Sequence, residues 1–248
     1  PRDPPISASQ SDPANGVFDR TNTVWVGDVK YKDISGPDGV PDGVIDDYDK
    51  TNIGSPMPKF TFGWTNTFRY KNFDLSVFIN GSYGNKVYNY LSMKLTHMNS
   101  PWTNQLNAVN GRAQLVPINP NKVYEDGTMW YNDVSNVMVA NPGASIPRAT
   151  INDPNDNDRI SDRYIEDGSY IRLKNISLGY TFPKKTIDKL GLSNLRIYAN
   201  IQNLLTITGY DGYDPEIGAS TSSVNVYGLD NGRYPSPTVY SFGLNVSF

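Results

Sequence analysis

Five segments of this chain alternate large apolar residues with small or polar ones, and this alternation limits the possible folds more than any other feature. The last segment, YSFGLNVSF, has an aromatic or aliphatic side chain at every second position up to the final residue. A period of two is that of a β-strand, whose successive side chains point to opposite faces of a sheet. The sequence therefore predicts an all-β fold with strands near 59–70, 73–83, 170–182, 195–206 and 238–248.

The length and composition of these strands favour a transmembrane antiparallel β-barrel over a soluble sandwich. Each segment has about 10 to 12 residues, as a tilted membrane strand requires, whereas strands of soluble proteins average about 5 to 6. The polar sides carry mostly Ser, Thr, Asn, Gln and Gly instead of Lys and Glu. Aromatic residues stand at the strand ends, where a membrane interface would lie, and include Phe60, Tyr70, Tyr180 and Phe248.

The connections between the predicted strands alternate in length. The turn at 71–72 and the connection 183–194 are short, whereas the connections near 84–169 and 207–237 are long. Outer-membrane barrels have short periplasmic turns and longer outside loops. We therefore expect a bacterial outer-membrane location, with the C-terminus in the periplasm.

The remaining composition excludes several classes of function. There is no cysteine, so a disulfide framework, a thiolate metal site and a cysteine nucleophile are excluded. The only histidine, His97, lies in a polar stretch without a nucleophile-elbow motif, and we expect it to be an exposed loop residue. The formal net charge of −3 gives no reason to expect a nucleic-acid partner. We expect the chain not to be an enzyme.

Seven stretches, in order along the chain, carry a family resemblance. They are GDVKYKD, DGVIDDYDK, IGSPMPKFTFGW, YKNFDLSVFINGSYGN, RYIEDGSYIRLKNISLGYTFP, LRIYANIQNLLTITGYDGYDPE and YSFGLNVSF. Together they resemble the C-terminal barrel portion of SusC-like (SusC/RagA) TonB-dependent outer-membrane transporters of Bacteroidetes. The likeness runs from about Gly27 to the C-terminal residue.

The resemblance implies much that the pattern of residues does not. It implies a barrel of about 22 strands around an N-terminal plug, a SusD-like surface lipoprotein as a lid, and import of glycans or oligopeptides driven by the TonB complex. The plug and the TonB-contacting segment would precede this chain. The chain has no initiator Met and starts with PRDPPISASQSDPANG, which is not a signal peptide. We therefore expect residues 1–248 to be the C-terminal part of a longer barrel protein.

An acidic loop within 27–58 is expected to lie outside the cell and is a candidate Ca²⁺ site. The stretch DGVPDGVIDDYD partly follows a calcium-loop pattern, with oxygen ligands at alternate positions and a glycine at the sixth. Val40 stands where that pattern needs an oxygen ligand, and Asp33 or Ser35 could replace it. The alternative is a hydrated acidic turn. The predicted ligands of this structural ion are Asp38, Asp42, Val44, Asp46 and Asp49.

Alternation also selects residues for the polar lumen of the barrel, namely Asn80, Asn175, Asn200 and Gln202. Aromatic residues in the predicted outside loops could stack on a ligand or pack within their loops, and these include Trp102, Trp130 and Tyr213. We expect the Asn- and Asp-rich stretch 152–164 to be loop structure, not a second metal site. Two other functions stay open at this stage: a soluble Ca²⁺-stabilised β-sandwich that binds glycans or acts as an adhesin, and a passive porin.

Overall fold

A computed structural model describes residues 24–217 and 226–248. The expectation about the first stretch, 1–16, lies outside the described residues. The chain divides into two compact units, one made of residues 1–52 and 92–161 and the other of residues 53–91 and 162–248. Most of the regular structure is β-strand: β1 Phe60–Tyr70, β2 Phe73–Tyr83, β3 Lys86–Asn89, β4 Leu115–Pro117, β5 Val137–Val139, β6 Ile165–Asp167, β7 Tyr170–Thr181, β8 Asn194–Thr208, β9 Leu229–Asp230 and β10 Val239–Ser247.

Helices are few and short. The α-helices are α1 Tyr90–Thr96 and α2 Lys184–Ile187. Short 3₁₀-helices occur at Asp47–Asp49, Asn107–Gly111, Trp130–Asn132, Val134–Asn136, Asp162–Tyr164 and Asp188–Leu190. Within 24–217 and 226–248, no helix has the length and apolar character needed to span a membrane.

The five long strands form one open antiparallel sheet in the order β1-β2-β7-β8-β10. Each long strand pairs with the long strands that come before and after it in the sequence. The turn at 71–72 and the connection through α2 lie at one end of the sheet, which we call the short-turn end. The two long connections leave from the opposite end. The segments that alternate in the sequence are therefore these five strands, with bounds that shift by one or two residues.

Alternation also fixes the two faces of this sheet. Large apolar side chains occupy one face, which stays exposed; Phe242, for example, is 84% exposed. Aromatic pairs mark both ends of that face. Phe60 stacks on Tyr83 at a ring distance of 5.3 Å, and Phe73 lies 4.7 Å from Tyr180 at the short-turn end. An exposed apolar face bounded by aromatic rings is typical of a membrane strand.

The long connections carry their own structure. In the unit that holds the large sheet, β3 pairs with β6 antiparallel and with β9 parallel. Val87 of β3 is fully buried there. In the other unit, β4 and β5 form a hairpin-like pair, and the buried apolar residues include Val24, Trp25, Met93, Ala113, Val137 and Ile146.

Candidate functional site

The polar face of the large sheet contains all four predicted lumen residues. Asn175 of β7 is paired with Gln202 of β8, so both side chains share a face. Asn200 is paired with Ser177, and Asn80 is paired with Arg172. A bulge at Leu173–Asn175 keeps Arg172 and Asn175 on the same face despite their odd spacing. The Oδ1 of Asn80 is buried without a hydrogen-bond partner.

One row of polar residues crosses the whole sheet in register. Its members are small or neutral, and they come from all five strands: Thr67, Ser76, Ser177, Asn200 and Ser241. Hydroxyl and amide groups can donate and accept hydrogen bonds without fixing a charge. Such a row gives the middle of this face hydrogen-bonding groups without charge.

A charged pair spans this face near the short-turn end. The Nη2 of Arg196 on β8 donates to the Oδ2 of Asp74 on β2 at 2.6 Å, although β7 lies between them. Gly179 is the residue of β7 directly between the two strands at this point. A Cβ at Gly179 would lie 2.6 Å from the Oδ1 of Asp74, so only glycine leaves room for the pair.

A second charged cluster lies at the opposite end of the polar face, around Arg172. This side chain is only 3% exposed. Its guanidinium forms ion pairs with Asp214 and with Glu216, the latter at 2.6 Å, and its Nε donates to the Oγ1 of Thr206 at 2.8 Å. Lys174 binds the same Oε2 of Glu216 at 2.8 Å. The cluster thus fastens the loop after β8 to the wall of the sheet.

Asp214 is the centre of that attachment. Burial raises the pKa of its carboxyl, but the backbone N–H of Ser236 and the guanidinium of Arg172 outweigh burial, and the pKa is lowered overall. The backbone N–H groups of Glu216 and Ser236 donate to it at 2.9 and 3.0 Å. A buried carboxylate with this many donors stays ionised at neutral pH.

A neighbouring set of contacts holds the start of the same loop. The hydroxyl of Tyr210 donates to the Oδ2 of Asp230 at 2.5 Å, and Asp230 also accepts the backbone N–H of Gly232. Burial, followed by the contact with Asp230, raises the pKa of Tyr210 above its usual range. Glu166 accepts the backbone N–H of Asp211 at 2.9 Å. Arg172 and Asp214 were not predicted as site residues, although the stretch LRIYANIQNLLTITGYDGYDPE carried part of the family resemblance. Tyr210 was predicted only as one of the aromatic residues of the outside loops, and it is buried against Asp230.

The acidic loop is organised by its carboxylates. Asp49 accepts the backbone N–H of Ile34 at 2.7 Å and that of Asp46 at 2.8 Å, which draws the two ends of the loop together. These backbone donors lower the pKa of Asp49. Asp42 accepts the N–H of Val44 at 2.9 Å, and Asp46 accepts that of Tyr48. Asp38 is exposed.

One oxygen of this loop fits a cation ligand. The Oδ2 of Asp33 accepts the N–H of Gly43 at 2.6 Å, while its Oδ1 is buried without a hydrogen-bond partner. A carboxylate oxygen removed from water needs a hydrogen-bond donor or a cation. Within 24–217 and 226–248, however, only His97, Asp153 and Asp158 bring three potential ligand atoms within 4.8 Å of one another. The predicted Ca²⁺ ligands therefore do not yet surround one point.

His97 is buried, and the expectation that it is an exposed loop residue was wrong. Its Nε2 lies 2.8 Å from the Oδ2 of Asp153, and its Nδ1 lies 3.1 Å from the Oδ2 of Asp158. Burial lowers the pKa of His97, but the hydrogen bond to Asp153 and the charges of both carboxylates outweigh it and raise the pKa overall. Both ring nitrogens can donate only when the imidazole is protonated.

This arrangement is an ion-pair network, in which two carboxylates approach opposite nitrogens of one ring. Asn157 extends it by donating to Asp153 at 2.5 Å and to Asp28 at 3.1 Å. Arg148 closes it with an ion pair to Asp28 at 2.8 Å. The stretch 152–164 is thus loop structure with a polar interior. Its density of Asn and Asp was the only sequence sign of the network.

The aromatic residues chosen from the sequence differ in exposure. Trp102 is 93% exposed and Tyr213 is 63% exposed, so both present a ring to solvent. Trp130 is half-buried and packs edge-on against Tyr131 at 5.6 Å. Trp130 therefore has a packing role in its own unit, whereas Trp102 and Tyr213 are available for a ligand or partner.

Comparison with known proteins relates this chain to much longer proteins, although no protein-family model matches it. TonB-dependent receptor P3 of Formosa agariphila is 36% identical over 211 residues, which are 83% of this chain and 18% of that protein. TonB-dependent receptor P26 of the same organism is 33% identical over 231 residues, covering 90% of this chain and 20% of the relative. TonB-dependent receptor SusC of Bacteroides thetaiotaomicron is 29% identical over 209 residues, or 83% and 17% of the two chains.

A solved structure, that of the RagAB peptide transporter, shares the fold with a TM-score of 0.56 at 20% identity over 79% of this chain and 18% of the other. The chain spans about a fifth of the length of the curated relatives it matches. These relatives are named receptors and a transporter, and none of them is named as an enzyme.

Proposed function

Because this chain belongs to the SusC-like TonB-dependent receptors, we propose that it forms the C-terminal wall of an outer-membrane β-barrel that actively imports nutrients. The observation that carries this proposal is the five-stranded meander with one exposed apolar face and one polar face. In a barrel, the apolar face contacts lipid and the polar face lines the lumen. The upstream part of the protein would supply the remaining strands and the plug.

The lumen wall has a neutral middle and charged ends. Asn175, Asn200 and Gln202 offer side-chain amides to a passing polar solute, together with the row of hydroxyl groups beside them. The pair of Asp74 and Arg196 lies near the short-turn end, and the cluster around Arg172 lies near the other. The charges of this pair and of this cluster already have partners within the protein, so they would hold an ionic solute less strongly than unpaired charges.

Orientation follows from the lengths of the connections. Outer-membrane barrels place short turns in the periplasm, so the turn at 71–72 and the C-terminus would face the periplasm. The long connections, including 84–169, would then face outwards. Trp102 and Tyr213 would be exposed on that side, where they could contact a solute or a lid protein.

The proposed partners are a SusD-like surface lipoprotein, as the lid, and the TonB complex, reached through the plug region. The proposed solute is a glycan or an oligopeptide. The likeness to a peptide transporter shows the fold alone at its level of identity, so both classes remain candidate substrates. A glycan offers hydroxyl groups and an oligopeptide offers backbone amides, and the polar face can form hydrogen bonds with either.

A structural Ca²⁺ ion in the acidic loop is a further part of the proposal. Asp33 supplies one buried oxygen without a partner, and Asp38 and Asp42 are near it in sequence. Oxygen ligands of this kind suit Ca²⁺. Since the carboxylates do not form a closed set of ligands, binding would have to draw the loop around the ion and order it.

Two alternatives are less well supported. A soluble sandwich needs a second sheet against the apolar face, yet the apolar residues of β1 and β10 in the described part of the chain are exposed. A passive porin does not account for the likeness to TonB-dependent receptors, which extends over more than four-fifths of the chain.

The absence of cysteine from this chain allows a direct test of topology. In a cysteine-free version of the full-length protein, Lys71→Cys would mark the short-turn end and Trp102→Cys would mark a long connection. A membrane-impermeant maleimide added to intact cells should label Trp102→Cys but label Lys71→Cys only after the outer membrane is opened. Equal labelling of both sites in intact cells would contradict the proposed function.

A further inference from the structure

The apolar face of the large sheet contains a groove near the short-turn end. Its volume is about 540 Å³, which lies within the range of about 300 to 1,000 Å³ for small-molecule sites. The side chains that line it on this face are aliphatic or aromatic, and they come from β2, β7, β8 and β10: Phe73, Leu178, Tyr180, Ile197, Phe242 and Leu244.

The groove exists because a small residue lies between large ones. Ala199 of β8 is paired with Leu178 on one side and with Phe242 on the other. Its methyl group leaves a depression that the longer neighbours border. At the short-turn end, Phe73 and Tyr180 approach to 4.7 Å and limit the groove. The result is an apolar depression over β7, β8 and β10, and its aliphatic and aromatic side chains can pack against an alkyl chain.

Positive charge surrounds the end of the sheet where the groove stops. The turn at 71–72 and the connection 183–193 contribute four lysines and one acid, Asp188; the lysines are Lys71, Lys184, Lys185 and Lys189. All of them are exposed. Among the residues that the structure describes, none of these lysines forms an ion pair with a carboxylate. Clusters of lysine at a membrane surface attract anionic lipid headgroups.

We propose that the groove binds one acyl chain of an anionic glycerophospholipid, whose phosphate lies against the lysines of the short-turn end. This inference rests on the proposed membrane location of the apolar face. A peptide segment is a poorer occupant, because apolar walls would leave its backbone N–H and C=O groups without hydrogen bonds. An acyl chain has no such groups, and the lysines supply the charge that its headgroup needs.

The experiment uses the full-length protein purified in a neutral detergent, with phosphatidylglycerol and phosphatidylcholine of identical acyl chains as the probes. Native mass spectrometry counts the lipids retained on each protein molecule. We expect one retained phosphatidylglycerol, with about tenfold weaker retention of phosphatidylcholine. Ala199→Phe fills the groove and should lower retention about tenfold. Val77→Phe is the matched control, since Val77 lies on the same apolar face but does not line the groove.

A second pair of variants tests the headgroup without touching the groove. Replacing Lys184 and Lys185 together by Glu should remove the preference for phosphatidylglycerol, whereas Lys59→Glu, at the opposite end of β1, should leave it unchanged. Equal retention by wild type and Ala199→Phe would overturn the inference, as would an unchanged preference after the double replacement.

The experiment distinguishes the absence of a lipid site from the absence of a membrane barrel. Each variant is first checked for a heat-dependent shift in gel mobility, which reports a closed barrel independently of bound lipid. A heat-shifting barrel that retains no phosphatidylglycerol overturns the lipid site alone. A protein without the heat shift, or one absent from the outer membrane, overturns both.

Discussion

Arg196 reaches Asp74 across an intervening strand, with 2.6 Å between Nη2 and Oδ2, because Gly179 has no side chain. The ion pair therefore connects β2 to β8 by passing over β7 at Gly179. Both side chains are partly exposed, so the interaction is screened, and we expect it to contribute about 1 kcal/mol to stability.

Gly179→Ala should break this pair, because the added methyl group displaces the guanidinium. The temperature at which the full-length barrel loses its folded gel mobility should fall. In the Asp74→Asn background the same replacement should have little further effect, since the pair is already lost. Gly143→Ala is the matched control, because a Cβ at Gly143 meets no atom within 4 Å. Equal effects of Gly179→Ala in both backgrounds would show that the pair contributes nothing.

Arg172→Met should destabilise the loop after β8 far more than Lys174→Met, although Arg172 and Lys174 both pair with Glu216. Without Arg172, the buried carboxylate of Asp214 loses its cation, at a cost of about 3 to 5 kcal/mol. Lys174 is more exposed, and its removal should cost less than about 1 kcal/mol. Hydrogen exchange across 209–217 measures the difference, with fast exchange expected only for Arg172→Met. Similar exchange in the two variants would refute the attachment of this loop through Arg172.

The network around His97 should make its unit sensitive to alkaline pH. The pKa of His97 is raised in the folded state. Its contribution is therefore complete below the unfolded pKa of about 6.5 and is lost as the pH rises through the folded value. Hydrogen exchange in 152–159 should speed up over that range in the wild type. In His97→Gln it should be fast at all these pH values; a pH profile identical to the wild type would exclude His97 as the cause.

The same network should weaken in acid for a different reason. Burial raises the pKa of Asp153, but its hydrogen bonds to His97 and Asn157 outweigh burial and lower the pKa overall. The stabilisation is therefore present above the unfolded pKa of about 3.9 and is lost as the pH falls through the lower folded value. Asp153→Asn should abolish the acid-dependent step in exchange of 152–159. Persistence of that step would assign it to another carboxylate.

Calcium should order the acidic loop if Asp33 is a ligand. Adding Ca²⁺ to the chelator-treated full-length protein should protect residues 33–49 from protease, and Asp33→Asn should remove that protection. Asp47→Asn is the matched control, because Asp47 is exposed and pairs with Lys50 at 2.7 Å. Protection that is independent of Ca²⁺, or equally lost in both variants, would leave the acidic turn without a metal role.

The positions of the long strands could be predicted from the sequence because each strand has one apolar and one polar face, and the residue types alternate accordingly. Alternation cannot reveal where that period is interrupted. At the bulge in β7, and at Asn203 in β8 with its left-handed φ of 53°, the side chains that follow change faces. The residue types in these segments give no sign of this change. Asn175 lies after the bulge, so its face follows from the alternation of residues 175–182 alone.

The charged clusters could not be predicted, because their members lie far apart in the chain. Arg172 and Asp214 are separated by 42 residues, and His97 and Asp153 by 56. The local periodicity of a sequence gives no sign of contacts between residues so far apart. A single histidine in a polar stretch is therefore predicted to be a surface residue. In the folded chain, a carboxylate lies beside each of its two ring nitrogens.

If the proposed function holds, the apolar face of the large sheet contacts a membrane as part of a closed barrel. The most direct measurement fractionates cells that make the full-length protein and runs the outer-membrane extract, unheated and boiled, on a denaturing gel. We expect a band in the outer membrane whose mobility changes on boiling. A protein found in the soluble fraction, with the same mobility before and after boiling, would contradict it.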